Sequence, residues 1–338
     1  MSGFRQRRRA RLRYSSGMST IARRRSTTKF GRLGADWRAR FILLAAIWGL
    51  SFLFIKVGDE VLSPLQVAFG RMAVGTATLL IILALRREPL PAFGAIWLKL
   101  AGAALLLNTL PFSLYAYGET TVTSVLAGIW NATTPLLTLV VVLAVLPEEQ
   151  PTRSRITGLA IGFAGVLMVL GFWSGLGGAA LLGNLACLAA ACCYGLGYPY
   201  SRRVLAGRSE STLALAAGQL LCGTIELGIV TPFTTRPTGM PLRVVFSILA
   251  LGALGTGIAY VLNYALVRDV GATITSTVTY VIPLFSTVAG VVFLGEHLSW
   301  NQPIGALIVI LGVAVSQERA SLPWPARRAT PGKPKGRR

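Results

Sequence analysis

Between residues 40 and 320 the chain alternates long apolar runs with short polar breaks. The runs have the length of a membrane crossing, which takes roughly 20 mainly apolar residues to cover about 30 Å of hydrocarbon. They predict ten helices, over residues 41–58, 64–85, 95–117, 121–146, 155–173, 180–201, 211–233, 243–266, 270–294 and 302–317. The breaks are too short to hold a soluble domain, so the expected fold class is an all-α integral membrane protein.

Composition agrees, with 53% apolar and only 13% charged residues and a mean hydropathy of +0.62, where soluble domains are about a quarter charged. The net charge of +21 changes the picture only through its placement: of 33 Lys and Arg, 13 lie in residues 1–40 and seven in residues 317–338. With ten spans and both tails on one side, 29 basic residues fall on that side and three, Lys56, Arg236 and Arg243, on the other. Such a bias marks the cytoplasmic face, which predicts a multi-pass protein of the plasma (inner) membrane with both termini cytoplasmic. Residues 1–40 have no apolar core and are expected to be a basic, disordered tail instead of a signal peptide, with Met18 as an alternative start; residues 318–338 form a second basic tail. The basic tails suit anionic lipid better than nucleic acid, which is not an expected partner.

A polar pattern also repeats. Val122 to Glu148, moved forward by 148 positions, lands on Val270 to Glu296, so that Pro135 falls on Pro283 and Glu148 on Glu296. After each glutamate comes a short polar loop and then two glycines seven apart, Gly158 and Gly165 in one copy, Gly305 and Gly312 in the other. The chain thus reads as a duplication, residues 41–173 and 174–317. Five spans per copy is an odd number, so the copies cross the membrane in opposite senses, an inverted repeat around a central cavity of the kind found in secondary transporters.

Trp48, Gly49, Phe52 and Lys56 in the first span, Pro64 and Arg71 in the second, and the repeated PLLTLVVVLAVLPE and PLFSTVAGVVFLGE segments resemble the EamA family of the drug/metabolite transporter superfamily. The resemblance covers residues 41 to 317 and implies ten helices in two inverted five-helix repeats, a central cavity and transport of a small metabolite. The start of the second half departs from it: Tyr194-Gly195 stands where Trp48-Gly49 stands in the first, and no arginine answers Arg71.

Polar groups within hydrocarbon are expensive and are expected to face the bundle interior. At the offset of 148, Asn108, Phe112 and Tyr115 fall on Thr256, Tyr260 and Asn263, each trio on one helical face, and Tyr264 extends the second. Asn131 falls on Thr279, four residues ahead of each proline, with Trp130 and Tyr280 beside them. Asn108, Tyr115, Trp130, Asn131, Thr256, Tyr260, Asn263, Tyr264, Thr279 and Tyr280 are therefore the candidate substrate-binding residues, the plain alternative being that they join neighbouring helices. Pro135 and Pro283 are expected to bend their helices and free carbonyls. Arg71 and Glu226 are charges within spans, at roughly 2.5–3.5 kcal/mol each on insertion scales, and with Lys56 they are the candidates for coupling or charge recognition. Glu226 would permit proton coupling; its alternatives are a helix-end position or a protonated state. Arg71 and Lys56 could instead snorkel. Glu148 and Glu296 read as helix-end structural features.

Cys187, Cys192, Cys193 and Cys222 sit in apolar segments with no metal-type spacing, and His297 in a loop, so no metal or cofactor is expected. An intramembrane enzyme would need grouped catalytic side chains, yet there is no His pair, no GxSxG and no Asp cluster in any span. The favoured function is a secondary transporter moving a small metabolite, amino acid or drug-like compound by alternating access, with export preferred over import. A lipid-linked substrate flippase or a non-transporting scaffold is the alternative. A homodimer is compatible with the sequence.

Overall fold

The computed structural model describes residues 30–145, 152–171, 178–205, 208–235, 237 and 239–317. The basic tails before residue 30 and after residue 317, Met18, Arg236 and Glu148 lie outside the described residues. Every regular element described is a helix, the one open form that satisfies all backbone hydrogen bonds in lipid without a partner. Eight of the described helices are long and apolar enough to cross a membrane, and Val278–Leu294 and Asn301–Ser316 are shorter apolar helices. The chain is thus a multi-pass membrane protein.

The first half begins with α1, Phe30–Gly58, which starts well inside the stretch expected to be tail. Next comes α2, Pro64–Arg86, opened by a capping box between Ser63 and Gln66 with proline in its first turn, and closed by Arg87 in the left-handed conformation. The third helix, α3, spans Ala95–Glu119 and widens into a π-helical turn at Leu105–Thr109. The fourth, α4, runs as Ser124–Asn131 and Thr134–Val145; the break falls just ahead of Pro135, whose ring excludes the preceding helical hydrogen bond. Helix α5, Arg153–Leu170, completes this half.

In the second half, α6 is Gly178–Leu205 and contains Pro199, and α7 is Thr212–Val230, capped by Ser211. Helix α8, Leu242–Gly271, has its own π-helical turn at Ala253–Ile258. It stops at Gly271, whose φ of 86° is a conformation glycine reaches without Cβ strain. Beyond this kink residues 272–276 are again helical, and after Thr277 comes α9, Val278–Leu294, which carries Pro283; α10 is Asn301–Gln317. The run of 270–294 anticipated from hydropathy is thus helical in two pieces, 272–276 and α9, with the interruption at Thr277.

Helix α1 packs on α9 and α8, α6 on α4 and α3, α2 on α7 and α8, and α7 on α3. The closest seam joins α5 to α10. A Cβ on Gly158 would lie 2.5 Å from the carbonyl oxygen of Gly312, and one on Gly165 would lie 2.9 Å from that of Gly305. Small residues let two backbones touch in this way, giving van der Waals contact where lipid offers no hydrophobic drive. At the α2–α7 crossing, the hydroxyls of Thr76 and Thr224 hydrogen-bond at 2.8 Å although the residues are 148 apart in sequence.

Candidate functional site

Where α1, α2, α3, α4, α6, α7, α8 and α9 converge they leave a cavity of about 250 Å³. The two π turns frame it. A π turn displaces its residues from the regular ladder and is often found at functional positions; here the turns begin at Leu105 and Ala253. Asn108, fully buried in the first turn, donates from Nδ2 to the Tyr260 hydroxyl at 2.7 Å and accepts from Nε2 of Gln219 at 2.6 Å. Thr256, fully buried in the second, accepts from Nε of Arg71 at 2.9 Å, and Nη2 of Arg71 reaches the carbonyl oxygen of Gly255 at 3.4 Å. Moving Arg71 and Thr256 by the repeat offset gives Gln219 and Asn108, so the same α2-to-α8 contact recurs as α7-to-α3. The guanidinium of Arg71 lies 3.7 Å from the ring centroid of Phe112, a cation–π contact.

Tyr115, Asn131, Tyr260, Asn263, Tyr264 and Thr279 line the cavity together with Arg71. Asn131 donates from Nδ2 to the Tyr115 hydroxyl at 3.4 Å, while its buried Oδ1 has no hydrogen-bond partner. Asn108 and Thr256 stand behind the lining and fix the residues that form it. Trp130 is elsewhere: buried, it donates from Nε1 to Oδ1 of Asn184 at 2.8 Å, tying α4 to α6. Tyr280 packs by Leu136, Val309 and Val313, between α4 and α10. Glu226 accepts a hydrogen bond of 2.5 Å from the Thr109 hydroxyl, and Lys56 donates to the carbonyl oxygens of Glu119 and Val122; neither lines the cavity.

Several lining residues were not singled out from the sequence as binding candidates. On α6 they are Tyr194, Tyr198 and Ser201, which match Trp48, Phe52 and Ile55 of the α1 wall when Tyr194-Gly195 is laid on Trp48-Gly49. Gln219 on α7 is another. Part of the signal was present, since Gln219 occupies the place of Arg71, and Tyr194 and Tyr198 the places of Trp48 and Phe52, which carry the family resemblance; Ser201 answers Ile55, which the sequence did not single out. The aromatic rings form a connected wall: Phe52 meets Tyr115 edge-on with centroids 5.5 Å apart, Tyr115 is 6.2 Å from Tyr194, and Tyr194 stacks on Tyr198 at 6.0 Å. Among the described residues that line the cavity, Arg71 is the one charged side chain. His297 is exposed in a loop, the four cysteines are free, and no group of metal-ligating side chains occurs among the described residues.

This architecture has known relatives. A sequence model of the EamA-like transporter family matches residues 38–171 and, a second time, residues 181–316. The chain belongs to the EamA-like transporter family. It is 26% identical over 278 residues to an uncharacterized transporter of Archaeoglobus fulgidus, covering 81% of this chain and 95% of that protein. It is 29% identical over 302 residues to the uncharacterized transporter YcxC of Bacillus subtilis, covering 81% and 90%. A third relative is the uncharacterized inner membrane transporter YedA of Escherichia coli K12, 28% identical over 286 residues, covering 80% and 87%. The same fold occurs in a crystal structure that is 20% identical, with a TM-score of 0.59 over 83% of this chain and 97% of the other. In this EamA-like transporter the cavity lies between the two π turns.

Proposed function

We propose that the chain is a secondary transporter whose ten membrane-spanning helices form two inverted five-helix repeats, and that it moves a small zwitterion or monoanion with an apolar or aromatic body by alternating access. Both termini are cytoplasmic in this reading. The family match to each half, the π turns in the same register and the Thr76–Thr224 contact support the repeat. So does the packing between halves: α1 on α9 is answered by α6 on α4, α1 on α8 by α6 on α3, and α2 on α8 by α7 on α3. Exchanging the halves leaves this set of contacts unchanged, which is what lets each half take up the other's conformation.

The observation that carries the substrate reading is Arg71. Its guanidinium lines the cavity, bonded to a hydroxyl and a carbonyl with no carboxylate in ion-pair contact among the described residues. A desolvated cation with free donors favours a carboxylate, through charge-assisted hydrogen bonds about twice as strong as neutral ones. The unpaired Oδ1 of Asn131 is an acceptor for a substrate ammonium, and the tyrosine faces suit both a cation and an apolar body.

The test is ligand-induced thermal stabilisation of the purified protein, comparing L-phenylalanine with phenylalanine amide, which lacks the carboxylate. Phenylalanine is expected to stabilise and the amide not. In R71Q the apparent affinity is expected to fall about tenfold to a hundredfold, since a hydrogen bond to a charged group contributes about 1.5–3 kcal/mol. Stabilisation by cationic dyes or polyprenyl lipids but by no carboxylate would overturn the assignment.

A further inference from the structure

A second polar cluster lies away from the cavity, where the C-terminal ends of α1, α3 and α9 meet the N-terminus of α4. Two of its members are committed to holding that end together. Lys56 donates to the carbonyl oxygens of Glu119 and Val122, joining α1 to the α3–α4 turn. Glu296 accepts from the Ser124 amide at 2.8 Å, the Ser124 hydroxyl at 3.0 Å and the Val125 amide at 3.1 Å, so α4 is capped by an acid following α9, as a helix N-terminus favours.

The other two acids are uncommitted. Glu119 is 0% exposed, and neither of its carboxylate oxygens has a hydrogen-bond partner; the same holds for both oxygens of Asp59. The charged and titratable groups that act on Glu119 are Lys56 and Asp59 from α1 and the turn after it, Glu296 beyond α9, Cys187 from α6 and Arg71 from α2. An ionised carboxylate without a donor is expensive to bury, and two acids near one another cannot readily both be charged. Burial pushes Asp59, which lies beyond the end of its span, up to about 8, against the pull of Lys56. Each acid also follows a cavity residue by one helical turn, Asp59 after Ile55 and Glu119 after Tyr115.

We infer that Asp59 and Glu119 form a proton-binding site, and that release of its proton unlatches this end of the bundle and so couples substrate movement to a proton gradient. The inference rests on the transport reading. Protonated, the pair is neutral and Lys56 stays on the α3–α4 carbonyls. When the proton passes to water at this end, a carboxylate is left beside Lys56, and the ammonium leaves the carbonyls to pair with it. That removes the tie between α1 and the α3–α4 turn, one helical turn from the cavity wall. Glu226, an acid the sequence offers as a candidate for this role, is off the cavity and already hydrogen-bonded to Thr109.

The experiment is an infrared pH titration of the reconstituted protein, with no substrate present, on wild type, E119Q and D59N, followed by flux measurements with labelled phenylalanine. The C=O stretch of a buried protonated acid is expected in wild type and is expected to be lost in E119Q and shifted or lost in D59N. With one coupled proton, a gradient of one pH unit drives about tenfold accumulation; relative to exchange at equal pH, E119Q is expected to lose that factor. Retained exchange shows that the variant is folded. An unchanged carboxyl band in both variants, E119Q that accumulates as wild type does, or accumulation driven by sodium alone overturns the proposal. A wild-type protein that exchanges no phenylalanine refutes the substrate assignment instead, and the infrared titration still decides the proton site.

Discussion

Replacing Gly312 by alanine tests the α5–α10 seam. A Cβ at that position would sit 2.4 Å from the Gly162 amide nitrogen, 2.6 Å from its Cα and 2.7 Å from the Gly158 carbonyl oxygen, where ordinary contact begins at 3.4 Å. All three are backbone atoms, so no rotamer change relieves the overlap and the helices must part by about 1 Å. Overpacking of this kind costs about 1–3 kcal/mol, and a whole seam that opens belongs at the upper end. Alanine returns about 1 kcal/mol of helix propensity, which leaves a net loss of about 2 kcal/mol and a melting temperature several degrees lower. The comparison is Gly228→Ala on α7, where the one neighbour within 4 Å is a Phe69 ring carbon at 3.4 Å; that variant is expected to be neutral or stabilised. Thermal unfolding of both variants in the same detergent is the assay. A G312A protein that melts at or above wild type would refute the reasoning.

Asn108→Leu leaves Nε2 of Gln219 without its acceptor and the Tyr260 hydroxyl without its donor. A loss of about 1–2 kcal/mol in thermal or SDS unfolding is expected, given about 0.6 kcal/mol for an average hydrogen bond in a membrane bundle, together with weaker substrate stabilisation because both partners line the cavity. Asp59 sets a pH dependence. Its ordinary value is 3.8 and its folded value about 8, so between these limits the folded protein holds a proton that the unfolded chain has released. Its contribution is therefore greatest at low pH and declines as pH rises toward 8, by at most about 1.4 kcal/mol per unit. Melting temperatures of wild type are expected to fall between pH 5 and 8 more steeply than those of D59N, and equal slopes would rule Asp59 out.

Hydropathy reveals the helices because lipid forces each crossing segment to be apolar and to satisfy its own backbone, and the offset of 148 leads directly to Asn108, Asn131, Thr256 and Thr279. What it hides is geometric. The π turns at Leu105 and Ala253 depend on how the ladder slips against neighbours, and nothing in LLLNT or ALGTGI announces them. Lys56 reads as a charge at a helix end until folding brings the α3–α4 carbonyls to it. Tyr194 and Tyr198 escape an offset of 148 because the first helix of the second copy is displaced by two positions. Gln219 escapes because Arg71 invites a search for another charge, whereas position and bonding partner define its counterpart. The start of α1 at Phe30 lies among basic residues that hydropathy assigns to the tail.

The Arg71–Gln219 mismatch has a consequence for the cargo. A perfectly duplicated chamber would accept a passenger in two equal headings, head toward either half, and would shuffle between them in transit. One guanidinium on one side abolishes that choice. On the proposed reading of a carboxylate held by Arg71 and carried by alternating access, the carboxyl end boards facing α2 and stays with that helix while the chamber turns inside out, so the molecule enters and leaves in a single defined attitude despite the near-duplicated walls around it.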